Sequence, residues 1–90
     1  MYHKSKYVVG ELGHGVFKSV CALIGPENTG HVDIARAFNE GTVISAGFCH
    51  STDEEVFIYG ESVTLQLKSR DADKILVGRA LAHQRYASDY

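Results

Sequence analysis

The chain has 90 residues, 44% apolar and 22% charged, with a formal charge of −2 from 9 basic and 11 acidic side chains. That length supports one domain, and the balance excludes a disordered tail. Basic residues form no block, which speaks against nucleic acid as a partner, because phosphate neutralisation needs clustered Lys and Arg.

The longest apolar run, residues 20–24, falls far below the roughly 18 residues of a membrane span. Residues 1–6 lead into only Tyr7-Val8-Val9, unlike a signal peptide, and the expected compartment is the cytoplasm. A domain this short buries roughly 60–65% of its unfolded surface, so its core is thin and a homodimer would help it. Cys21 and Cys49 each stand in an apolar segment without a CxxC motif, and read as buried free thiols of a reducing compartment.

Residues 6–11, around Tyr7-Val8-Val9, predict a first strand, and Gly13-His14-Gly15 a tight turn. Residues 16–24 predict a strand covered on both faces, with Lys18 on the apolar side of Val16, Val20, Ala22 and Ile24. Residues 25–30, with Gly25-Pro26 and Gly30, close it. Residues 31–40 predict a helix ending at Gly41. Ile34, Ala35 and Phe38 place His31 at the head of its apolar face.

Residues 42–50 and 55–59 predict an antiparallel hairpin through the polar residues 51–54. Strict alternation over residues 61–67 predicts a further strand after Gly60. Ser69 or Asp71 is the expected cap of a last helix running to about Gln84. Its buried stripe is Ala72, Ile75, Leu76, Ala80 and Leu81, and residues 86–90 are left to fray. This order predicts an α+β domain, a small mixed or antiparallel sheet with two packed helices.

The donors for a metal (His3, His14, His31, His50, His83, Cys21 and Cys49) offer only Cys49-His50 as a close pair, and neighbours on a strand face opposite ways. No metal is expected. No GxSxG nucleophile pattern occurs. Glu54-Glu55 lies in a turn, and Lys74, Arg79 and Arg85 on the last helix are offset by Asp71 and Asp73; both read as solvated surface. The remaining constellation is His31 with Lys18. A histidine in a helix's first turn meets the positive end of the macrodipole, which favours the neutral, proton-accepting imidazole. The backbone N–H groups of that turn suit an oxyanion, and Lys18 supplies a counter-charge. The bland alternative is a snorkelling lysine and a capping histidine that never meet.

Four segments in order, Gly15-Val16-Phe17-Lys18-Ser19-Val20, His31-Val32-Asp33-Ile34, Ala46-Gly47 and Tyr59-Gly60-Glu61-Ser62, resemble the phosphohistidine phosphatase (Janus/Ocnus) family. The resemblance spans residues 9–85. It implies a small sheet with two flanking helices, no cofactor and no metal. It implies His31 as proton acceptor, Lys18 holding the phosphoryl group, and Ser62, Val63 and Thr64 lining the phosphate pocket. The implied substrate is a phosphohistidine-containing protein or a small phosphoramidate.

Three departures mark a compact, divergent version. Phe48 stands where the eukaryotic members have an arginine, only twelve residues separate Lys18 from His31, and the strand after the last helix is absent or very short. The competing expectations are a non-catalytic phosphate- or phosphopeptide-binding module of the same fold, and a small structural homo-oligomer.

Overall fold

The computed structural model of the chain describes residues 4–88, with side chains as far as His83. Strands β1 (Ser5–Leu12), β2 (Ser19–Pro26), β3 (Ser45–Ser51) and β4 (Val56–Tyr59) form one antiparallel sheet in the order β2-β1-β3-β4. Its centre is β1, where Tyr7, Val8 and Val9 are wholly buried. Successive strand side chains take opposite faces, and each face has its own cover. Tyr7, Val9, Ala22 and Cys49 pack beneath α2 (Asp73–Ser88), chiefly against Val77. Val8 and Ala46 pack against Ile34 of α1 (His31–Ala35) and against Phe38 beyond it.

A small antiparallel hairpin, β5 (Glu61–Ser62) and β6 (Leu67–Lys68), brings Leu65 and Leu67 to the same cluster as α1. The expected α+β architecture with two packed helices is therefore present, and the 42–50/55–59 hairpin pairs antiparallel as the spacing predicts.

Several local expectations change. The strand expected from residue 16 begins only at Ser19, because Gly15–Phe17 makes a 3₁₀ turn that leaves Val16 93% and Phe17 85% exposed. Residues 16–18 are covered on neither face, and Lys18 stands half-exposed rather than amid apolar neighbours. From Cys21 to Ile24 both faces are covered as expected, Ala22 and Ile24 in the α2 cluster and Cys21 and Leu23 in the α1 cluster. The helix expected over residues 31–40 stops at Ala35. Its backbone tightens into three-residue turns (Ala37 N–H to Ile34, Phe38 N–H to Ala35), and Asn39 then donates its N–H to the Glu11 carbonyl and its side-chain amide to that of Gly13. Those bonds draw the chain onto the end of β1, where Phe38 sits on Gly10; a Cβ there would lie 2.8 Å from the ring. Gly41 keeps its expected left-handed conformation.

The alternating run 61–67 folds back on itself. Ser62 Oγ accepts the Leu65 N–H, Gln66 donates its N–H to Val63 O and takes a positive φ, and the period-two pattern bridges a tight turn.

In α2 the buried stripe is Asp73, Leu76, Val77, Ala80 and Leu81, while Ala72 and Ile75 face water. Neither Ser69 nor Asp71 closes its start. The Asp73 carboxylate does, accepting the Arg70 N–H, in the manner of the reaching-back acid of a capping box. The helix runs on to Ser88, past the expected end. His3, the Arg85 side chain and residues 89–90 lie outside the described residues.

Both cysteines are free. Cys49 is wholly buried, and burial pushes its thiol up to about 11; Cys21, half-buried, is raised too by burial. Thiolate is the reactive form. Iodoacetamide at pH 8 is therefore expected to modify Cys21 first and Cys49 only on unfolding, read by peptide mass. Equal labelling rates in the native protein would contradict this packing.

Candidate active site

Gly30 enters α1 in an extended conformation and places His31 at the first helical position, its ring turned down onto the sheet and 8% exposed. There Nε2 lies 2.8 Å from the Gly47 carbonyl oxygen of β3. A carbonyl only accepts, so Nε2 carries the hydrogen. In the neutral ring that leaves Nδ1 with the lone pair, and the ring is aimed by a backbone contact that cannot rotate away. Gly47 is required at this point, because a Cβ would stand 2.8 Å from the Tyr59 carbonyl oxygen and 3.0 Å from the Ser69 Cβ.

The next residue, Phe48, holds the ring from its side. The two centroids are 5.3 Å apart at 82°, an edge-to-face contact. Phe48 also stacks on Tyr59 at 6.1 Å, and the Lys4 ammonium stands 4.4 Å above the Phe48 ring. Lys6 is the direct β1 partner of Phe48 and, on its other side, of Gly25 in β2. Directly opposed residues of an antiparallel pair project from the same face, so Lys6 rises beside Phe48 on the face that carries α1.

Ser62 is buried, its hydroxyl oxygen accepting the Leu65 N–H. Val63 and Thr64 form the exposed turn that follows. Through Leu65 and Leu67 this segment belongs to the α1 side of the sheet. Lys18 does not come to this place. Its Nζ lies 4.0 Å from Glu11 Oε1, whereas the carbonyl that holds His31 belongs to the residue opposite Tyr7. Four residues of strand separate those levels, about 13 Å at ~3.3 Å each. The expected convergence of Lys18 and His31 is therefore not found.

The cause is the short connection: eight of the twelve intervening residues are spent on β2, which carries the chain from one end of the sheet to the other. With five residues, α1 also supplies less of the dipole field expected at His31.

The cations near His31 are thus Lys4 and Lys6, which reasoning from spacing passed over. Their signal was the alternation Lys4-Ser5-Lys6-Tyr7-Val8, which sets both on the face of Val8. Among the described residues no three His, Cys, Asp or Glu side chains gather to hold a metal. Cys49 points into the α2-side core, while His50 stacks on Phe57. A hollow of about 460 Å³ between β2 and α2, lined in part by Val20, Ile24, Leu76 and Ala80, touches none of His31, Lys18 and Ser62–Thr64; of the candidate metal donors it meets Cys21 and His83. Among the described residues no helix is long and apolar enough to cross a membrane. Comparison with family models, with curated proteins and with solved structures yields no match to this chain.

Proposed function

We propose that this chain is a phosphohistidine (phosphoramidate) phosphatase in which His31 is the general base, acting without a metal. The observation that supports this reading best is the hydrogen bond from His31 Nε2 to the Gly47 carbonyl. It joins two segments that resemble the same family and leaves Nδ1 as the proton acceptor. In the reaction a water oxygen attacks phosphorus, His31 Nδ1 takes the water's proton, and the P–N bond breaks as the leaving nitrogen takes a proton from solvent; His31 then returns its own proton to solvent. Positioning and charge neutralisation do most of the work in phosphoryl transfer, and a placed base adds roughly 10²–10⁴-fold. The Ser62–Thr64 turn, on the same side of the sheet as α1, is the segment assigned to the phosphoryl oxygens. Lys18 is given no part, because of its distance along β1.

The test is phosphate release from a phosphohistidine peptide by wild type and His31→Gln, with thermal unfolding confirming that the variant is folded. A loss of roughly 10²–10⁴-fold is expected; equal release by both would overturn the hydrolase reading. Radiolabelled substrate separates the base from its nucleophilic variant, since label retained on the protein would mean that His31 itself is phosphorylated. The separation of Lys18 from His31 favours the second reading, a phosphate- or phosphopeptide-binding module, and binding without turnover would select it.

A further inference from the structure

We propose that Lys4 and Lys6 form the anion-binding rim of the His31 site, with Phe48 as the platform that holds Lys4, and that the ligand they take is a phosphoryl dianion. This rests on the reading of His31 given above. The Lys4 ammonium and the His31 ring pack on the same Phe48 ring, at 4.4 Å and 5.3 Å from its centre. Lys6 is seated between Phe48 and Gly25 in the cross-strand row. Gly25 has no side chain of its own, and Ile34 fills the space above it, its Cδ1 2.9 Å from where a Cβ would stand, so that flank of Lys6 is walled by α1. Among the described residues no hydrogen bond or ion pair engages the Lys6 ammonium, although the residue is half-buried. Lys4 has one partner, Glu27, at 3.8 Å, and that carboxylate is 61% exposed.

A long-stemmed ammonium held over an aromatic face keeps its charge and three donors directed outward. Such an ammonium, with Lys6 alongside it in the cross-strand row, suits a phosphoryl group, whose oxygens the pair neutralise while Nδ1 addresses the water. Asp33, the one acid of α1, is engaged by Arg36 at 3.4 Å and does not compete for the rim. Phe48 therefore serves the rim by carrying Lys4.

The experiment is a titration with inorganic phosphate followed by the His31 ring NMR signals, paired with steady-state kinetics on phosphoramidate. It compares wild type, Lys4→Gln/Lys6→Gln, Phe48→Leu and Lys18→Gln, each shown to be folded. The double variant is expected to bind phosphate about tenfold more weakly, to raise KM by the same factor and to lower kcat as well, because the lost charges also neutralise the phosphoryl oxygens during the reaction. Phe48→Leu is expected to lose part of that affinity, and Lys18→Gln none. Raised salt should erode the wild-type affinity, as for partly exposed charges.

Unchanged binding in the double variant, a loss confined to Lys18→Gln, or no perturbation of the wild-type His31 signals by phosphate would each overturn the rim. Phosphate binding that depends on Lys4 and Lys6 without any turnover would keep the rim and overturn only the hydrolase. Turnover that needs His31 but ignores both lysines would do the reverse.

Discussion

Replacing Asp73 by alanine is expected to cost about 3–5 kcal/mol, the range for stripping one partner from a buried charged network. A 90-residue domain has about 5–10 kcal/mol in all, so the variant should lose a large share of its stability and melt far below the wild type. Asp73 is wholly buried. Its Oδ2 accepts from the Tyr7 hydroxyl at 2.7 Å and the Arg70 N–H at 2.9 Å, and its Oδ1 from Ser45 at 2.9 Å and the Arg70 guanidinium at 2.7 and 3.0 Å. Removing the acid strands two buried hydroxyls, one on β1 and one on β3. Burial alone opposes ionisation of this carboxyl, but the bonds from Tyr7, Arg70 and Ser45 outweigh it and hold its pKa below the ordinary 3.8.

A lowered carboxyl stabilises the fold fully above the unfolded value and loses that contribution as pH falls through the folded one. Urea midpoints should therefore hold from pH 7 down to about 5 and then drop below about pH 4. Asp73→Asn should start lower and lose this part of the acid slope. An Asp73→Ala protein with a wild-type midpoint would remove the network from the account of stability.

Replacing Gly47 by alanine should injure both the fold and the site. The new methyl group meets a backbone oxygen at 2.8 Å and the Ser69 Cβ at 3.0 Å, and backbone yields less readily than a flexible side chain. Overpacking of this kind costs about 1–3 kcal/mol. Relief requires β3 to shift, carrying away the carbonyl that aims His31. The variant is expected to melt lower and to lose the hydrogen-bonded His31 Nε2–H signal in NMR, with hydrolysis falling in parallel. Gly78→Ala is the contrast. Its methyl meets only Val56 Cγ2, at 3.9 Å, and alanine in a helix is better than glycine by about 0.8–1 kcal/mol, so this variant should gain stability. If both changes moved the melting temperature in the same direction, the close approach at Gly47 would not be what limits that position.

The parts legible in the sequence were those fixed by local period and punctuation. Tyr7-Val8-Val9 announced a strand, Gly41 a left-handed stop, and residues 51–54 a hairpin connection. The failures have a common cause, which is that a period cannot reveal where the chain is tied down. Residues 61–67 alternate strictly, yet the Ser62 hydroxyl closes a turn in their midst. Residues 31–40 carry helical spacing, yet the bonds of Asn39 to β1 end the helix early. The stripe of α2 was read one step off because its first member is an aspartate, and an acid reads as surface until its three partners from elsewhere in the chain are seen. At the site, His31 was found from its place at a helix start. Its cations were not, because proximity to Lys18 in sequence concealed a full strand of separation in space.

The Tyr7–Asp73 bond spans 66 positions of the chain, and this governs when the protein can become itself. At roughly 5–20 residues per second of synthesis, about 3–13 s pass between the making of the tyrosine and the making of its acceptor. Throughout that interval the nascent sheet has one face without a lid and two hydroxyls without a destination. Maturation thus waits on the translation of α2, and a ribosome that stalls shortly before it holds a product with a bare apolar flank, the kind of intermediate that chaperones are there to shield.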